Sequence, residues 1–223
     1  MTDIALPRRR PSYLSRLFEA YGQEIIVLAA IVVLFIVVGL VNPRFLSNTN
    51  LTSIFSGNAY IAVAAIGMAL VIISGHIDVS VGSLIGVLAT IAGTLAVSGY
   101  PVWIAWTVPV IVGIVINTFL GALIAYMRVP SIVASLGMLS ILKGGLISLT
   151  GGTWITGMPG EFFIAQSRLF GIPAPVYFMV TLTTIMALWM RYSALGRSIY
   201  AVGGNPEAAR ATGLDPERTC VFV

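Results

Sequence analysis

Two polar islands in an apolar chain hold the side chains with chemical potential. The first is Ser74-Gly75-His76-Ile77-Asp78-Val79-Ser80-Val81-Gly82-Ser83, a step between two apolar runs. Asp78 has no cation near it in sequence. A carboxylate left unpaired in such surroundings is expensive, so two uses are open to it. It can cap the helix that follows, with Ser80 and Gly82 near the first turn. It can instead face a polar cavity and hold a hydroxyl or a proton. His76 has the same pair of readings, a hydrogen-bonded structural group or a proton relay. The second island runs from Gly196 to Gly213 and carries Arg197, Glu207 and Arg210.

Other chemistries are excluded by what the chain contains. His76 is the only histidine and Cys220 the only cysteine, so a His-based metal site, a Ser-His-Asp triad and an internal disulfide cannot be assembled. The Gly-Gly pairs at 144–145, 151–152 and 203–204 lack the Lys-Ser/Thr that would cradle phosphate and magnesium. No carboxylates are paired at a spacing suited to hydrolysis. No catalytic residue, metal ligand or cofactor is therefore expected in this chain, and any ATP that drives it must sit on another one.

The elements that position these islands are membrane spans. Hydrophobic residues make up 58% of the 223 residues and charged residues 9%. A soluble domain has about 25% charged residues, too many for this chain to imitate, so lipid must cover most of its surface. Apolar runs predict an all-α, polytopic membrane protein. Its six complete spans fall near 24–41, 57–74, 81–98, 102–125, 131–149 and 173–190, and a seventh starts near Thr219. The formal charge of +4 comes from arginines scattered at span ends, which points to membrane topology and not to nucleic acid. With the amino terminus inside, Arg8, Arg9, Arg10, Arg16, Arg128, Arg191, Arg197, Arg210 and Arg218 fall on the cytoplasmic side, against Arg44 and Arg168 outside. The organisation expected is a cytoplasmic tail over 1–23 and a membrane domain over 24–223, with a cytoplasmic loop at 191–218. The first span is too long for the core of a signal peptide, which is about 7–15 residues.

Local patterns refine this. Leu46 through Leu51 reads as the start of a short amphipathic helix at the outer interface that runs into the second span, capped by Ser47 and with Leu46 stapled onto Leu51. Gly82, Gly86, Ala89, Thr90 and Gly93 allow close helix packing in the third span. Lys143 falls inside the fifth span and must meet a polar interior or reach an interface. The outer loop at 150–172 is broken by glycines, and Trp154, Phe162 and Phe163 suit the membrane boundary. In the cytoplasmic loop, Asn205 caps and Pro206 opens a two-turn helix over 206–212, which Gly213 ends. Asp215-Pro216-Glu217 repeats the cap-and-proline start. A short helix capped at both ends between spans reads either as a stiff lever or as a merely well-formed loop.

Four ordered motifs resemble the permeases of bacterial monosaccharide ATP-binding cassette (ABC) importers of the ribose/xylose/arabinose/galactose type. They are Asn42-Pro43-Arg44-Phe45-Leu46-Ser47, Gly75-His76-Ile77-Asp78-Val79-Ser80-Val81-Gly82-Ser83, Arg128-Val129-Pro130-Ser131-Ile132-Val133-Ala134-Ser135-Leu136-Gly137, and Gly196-Arg197 through Gly213. The resemblance covers nearly all of the chain from residue 24. It implies a fold of about ten transmembrane helices, helical because backbone groups in lipid must bond internally. On that pattern the family's carboxy-terminal third is missing here.

The resemblance also implies partners. These are a cytoplasmic ATPase with two nucleotide-binding halves that holds ATP and magnesium, a second permease copy (homodimer or paired permease), and a periplasmic sugar-binding protein. It places the chain in the bacterial inner membrane. It assigns ATPase coupling to Gly203, Gly204, Asn205, Glu207, Ala208, Ala209, Arg210 and Gly213, and makes Asp78, Ser80 and His76 candidates for a translocation path. His76 stands where the family usually has glycine. The alternatives are a branched-chain amino acid permease, a stand-alone proton-coupled carrier using Asp78, His76 and Lys143, and a membrane scaffold that transports nothing.

Overall fold

The computed structural model describes residues 13–160 and 167–223. The expected roles of Arg8, Arg9, Arg10, Phe162 and Phe163 lie outside the described residues. The backbone separates into two compact units, 1–54 and 55–223.

The first unit holds α1 (Tyr13–Val41), a 3-10 turn over Pro43–Leu46 and the opening turns of α2 (Asn48–Ile73). The helical path of α1 is interrupted at Tyr21, and the stretch Tyr21–Val41 is long and apolar enough to cross a membrane. Helix thus begins within the tail expected over 1–23. Asn42 bends the chain after α1, its Oδ1 accepting the Arg44 N–H at 3.1 Å. Phe45 then meets Phe35 edge to face at 5.3 Å, and Leu46 lies over Gly39. Ser47 accepts the Asn50 N–H as a cap should. The helix it starts runs on into the second span as expected, the two forming one unbroken helix of 26 residues.

The second unit is a helical bundle. After α2 come α3 (Val81–Val97), α4 (Val102–Met127) and α5 (Ser131–Thr150). A two-stranded hairpin follows, β1 (Arg168–Leu169) and β2 (Ile172–Pro173), and then α6 (Ala174–Tyr192). Three short helices close the described chain: α7 (Ala194–Gly204), α8 (Pro206–Ala211) and α9 (Pro216–Phe222). Five helices of the described residues are long and apolar enough to span: α1 from Tyr21, α2, α4, α5 and α6.

The third expected span is different, for α3 has only 17 residues. At 1.5 Å per residue it falls short of the roughly 30 Å hydrocarbon layer. The turn at Asp78 delays its start, and Gly99 in the left-handed region (φ 81°) ends it.

α3 packs against α4 and α5, and α4 packs against α9. Glycine sets the closest approaches. Leu88 of α3 sits over Gly113 of α4, and Leu146 of α5 over Gly86 of α3. Gly93 lies beneath Ile155 and Met158, so the segment after α5 folds back over α3. Gly82 has no such neighbour. Lys143 is exposed on α5 and makes no ion pair among the described residues.

Candidate functional site

The polar segment after α6 is built from helix caps. Ser193 ends α6, and its hydroxyl accepts the Gly196 N–H at 2.8 Å to start α7. A Cβ on Gly196 would run into the Met190 carbonyl, so glycine is what lets α7 fold back onto α6. Asn205 serves two helices. Its N–H bonds the Ala201 carbonyl at 3.1 Å and closes α7, while its Oδ1 accepts the Ala208 N–H at 3.0 Å and opens α8. Pro206 fills the first position, where no donor is needed.

Gly213 (φ 88°) terminates α8 in a Schellman arrangement, with Leu214 N–H to the Ala209 carbonyl at 3.1 Å and Gly213 N–H to the Arg210 carbonyl at 3.0 Å. Asp215 then accepts the Arg218 N–H at 3.0 Å and starts α9.

The residues expected to couple therefore divide by position. Gly204, Asn205, Glu207, Ala208, Arg210 and Gly213 are exposed. Ala209 is buried, and Gly203 is half-buried against the end of α2. Arg210 holds Glu207 at 3.6 Å on its own helix and also pairs with Glu217 of α9. It thus ties α8 to α9.

From sequence, residues 194–204 belong to the loop expected over 191–218. In the structure they form α7, an 11-residue amphipathic helix that buries Gly196, Ile199 and Val202. Their three-residue spacing, preceded by Ser193, is the signal that marks it. Three glycines (Gly196, Gly203, Gly204) and two β-branched residues (Ile199, Val202) weaken that signal by lowering helix propensity.

The first island lies against this segment. Gly203 presses its backbone on the Ile73 carbonyl and Ser74, with no room for a Cβ. Gly75 takes the left-handed conformation (φ 86°), and His76 does not, which is how histidine is accommodated in this motif. His76 bridges the two elements. Nδ1 lies 3.2 Å from Ser74 Oγ and Nε2 lies 3.5 Å from Cys220 Sγ on α9. Its burial in the α2–α3 connection pushes its pKa below the ordinary value.

Asp78 forms a turn rather than a direct cap on the helix interior. Its Oδ1 accepts both the Ser80 N–H at 2.7 Å and the Ser80 hydroxyl at 2.6 Å. Ser80 is 1% exposed and is the residue that precedes α3. Ser131 and Ser135 of α5 hold the Ile77 N–H and carbonyl at 3.2 and 3.4 Å.

Above Asp78 an open groove runs along α2 from Tyr60 to Val71, with Val81 and Ile85 of α3 and Asn117 of α4 on its other side. A smaller cleft continues to Ser74, His76 and Cys220, again with Asp78 and Asn117 in its wall. Asp78 and His76 thus share a cavity system, Ser80 is packed beneath it, and Lys143 lies elsewhere. Asn117 is not among the residues that the sequence singles out. Its signal is a lone amide in a 26-residue apolar helix, bordered only by Thr118 among polar neighbours. No cluster of three or more His, Cys, Asp or Glu suited to a metal occurs among the described residues.

Comparison with known proteins decides the family. A family described as "Branched-chain amino acid transport system / permease component" matches residues 50–223. The chain belongs to this permease family. Its members are membrane components of ABC importers and not enzymes.

The permease is 36% identical over 201 residues to the autoinducer 2 import system permease protein LsrC of Escherichia coli O9:H4 (strain HS), covering 90% of this chain and 59% of that protein. It is 37% identical over 207 residues to the protein of the same name from Salmonella typhi, covering 92% and 60%. The permease therefore spans 59–60% of the length of these relatives. No solved structure matches it significantly. Family and apolar helices together make it a multi-pass membrane protein.

Proposed function

We propose that this permease is the membrane-spanning part of an ABC importer that moves a monosaccharide or a related sugar-like molecule inward. Its amino terminus and α7–α9 face the cytoplasm. There α8 meets an ATPase whose two halves bind ATP and magnesium, while a periplasmic binding protein delivers cargo and a second permease copy completes the path.

The observation that carries this reading is the build of α7–α9. A capped six-residue helix presents Glu207 and Arg210 outward, and its base is welded to the α2–α3 connection. Two contacts make the weld, Gly203 on Ile73 and Cys220 to His76. Force on α8 is transmitted to the turn that carries Asp78 because packed backbones do not deform continuously. The chain supplies the lever and the path, and the partner supplies the energy.

The relatives' names specify autoinducer 2, and the family description specifies branched-chain amino acids, so both cargo classes enter the test. A proton carrier using Asp78, His76 and Lys143 is disfavoured, since Lys143 does not line the cavity that the other two share. The test is reconstitution of the full-length permease in vesicles with its ATPase and binding protein. ATP-dependent sugar uptake is expected, and Glu207→Ala with Arg210→Ala should leave ATP hydrolysis running without uptake. Normal uptake by that double variant, or labelling of residues 203–213 from the outside, would refute the lever.

A further inference from the structure

The wall that Asp78 and Asn117 share is more than a gap between helices. Asn117, Leu120, Gly121 and Ile124 line it at one-face helical spacing on α4. Gly121 is pressed against the Val221 backbone of α9, which fixes how that face of α4 is turned. Asn117 has no hydrogen-bond partner among the described residues, and it is exposed to the groove. An exposed amide on a groove wall, with no protein group among the described residues engaging it, keeps its donor and acceptor available for water or a ligand.

Asp78 complements it. One carboxylate oxygen is committed to Ser80, which locks the group in place, and the other has no partner among the described residues. Around the pair the walls are apolar: Val63, Met68, Val71 and Ile85. No lysine or arginine lines either part of the cavity among the described residues, and both ring nitrogens of His76 are occupied.

We infer that Asp78 and Asn117 form a subsite for a neutral polyol, a ligand that offers several hydroxyls and carries no negative charge. The carboxylate oxygen accepts one hydroxyl, and the amide donates to and accepts from a second. A phosphorylated sugar finds no cation to balance its phosphate. An amino acid finds no partner for its carboxylate and meets the Asp78 charge as well. The subsite thus deepens the sugar-import reading and rests on it for its physiological meaning.

Cys220 lies in the same cleft, so its alkylation by a maleimide reports occupancy without any partner protein. The full-length permease in detergent would be alkylated in the presence of D-ribose, L-leucine or ribose 5-phosphate. D-ribose at high millimolar concentration is expected to slow the reaction several-fold, and the other two to leave it unchanged. Asn117→Leu should abolish the protection, read as the ratio of its own rates with and without ribose, and Asn117→Ser should keep part of it. Saturation-transfer NMR of D-ribose with the wild type and Asn117→Leu gives an independent readout.

Equal protection by L-leucine, no ribose signal by either method, or full protection in Asn117→Leu would overturn the subsite. Loss of ATP-driven uptake in vesicles with protection intact would remove the import reading and leave the subsite standing. Uptake without protection would do the reverse.

Discussion

Residues 193–222 and residues 151–173 leave opposite ends of α6, and both are rich in glycine. They use it for opposite purposes. In 193–222, Gly196 and Gly203 stand where backbone presses on backbone, and Asn205, Ser193 and Asp215 each cap a helix through a side chain. In 151–173, Gly151, Gly152, Gly157 and Gly171 all take positive φ with no atom close to where a Cβ would go. Trp154 and Phe170 are 93% and 92% exposed there. The first segment is closely packed, backbone on backbone. The second offers open turns and bare aromatic surface, and apart from Ile155 and Met158 over Gly93 it bears little load. Glycine content alone does not separate the two; what a Cβ would strike does.

The sharpest way to break this contrast is to add one methyl group. Gly203→Ala places a Cβ against the Ile73 carbonyl, and backbone cannot swing aside as a side chain can. Overpacking of this kind costs about 1–3 kcal/mol, and a backbone clash belongs at the upper end. Its neighbour Gly204 has nothing within 4 Å. Gly204→Ala should change stability by less than about 1 kcal/mol, with helix propensity working in its favour. Thermal unfolding of both variants in detergent reads the difference. Equal loss in the two would mean that α7 is not seated on α2 as described.

Next in size are the caps. Asn205→Ala removes the acceptor that opens α8 and should cost about 1 kcal/mol. In the other segment, Trp154→Ala strips a large ring that is almost wholly exposed, and should shift unfolding by no more than about 0.5 kcal/mol. A Trp154 variant as unstable as the Asn205 variant would show that 151–173 bears load after all.

Smaller still, for stability, is Arg210→Ala. Its pairs with Glu207 and Glu217 are exposed to water, and such pairs are worth about 0–1 kcal/mol. The effect expected of this residue lies in coupling instead. Uptake per ATP hydrolysed should fall steeply while the melting curve barely moves. A variant that loses stability and transport together would make Arg210 a structural strut.

The sequence made some of this legible and hid the rest for identifiable reasons. Caps are local, so Asn205-Pro206 and Asp215-Pro216 announced α8 and α9 with nearly the right ends. Spans α2, α4, α5 and α6 follow from length and apolarity alone. The helix α7 was hidden because its glycines lower propensity, yet those same glycines make its packing possible. The hairpin at 168–173 was hidden because two-residue strands carry no period. Asn117 was hidden because its role depends on Asp78, which lies 39 positions earlier and meets it only across the groove. Local chemistry is read from sequence, whereas contact between distant elements is not.

Acidity should also distinguish the two segments, by the smallest margin. His76 is attached to 193–222 through Cys220, and burial lowers its pKa in the folded state. The folded permease therefore binds fewer protons than the unfolded chain near that pKa, and stability rises with pH. The contribution is present in full above the ordinary histidine value of about 6.5 and is lost as pH falls through the lower, folded value. The residues of 151–173 that are described include no group that titrates in this range. Melting curves taken from about pH 8 down to about pH 5 should show a shallow loss in the wild type, and His76→Gln should flatten it, since glutamine keeps polar contacts without titrating. An unchanged slope in that variant would place the acid sensitivity elsewhere and remove His76 from the weld between the lever and the Asp78 turn.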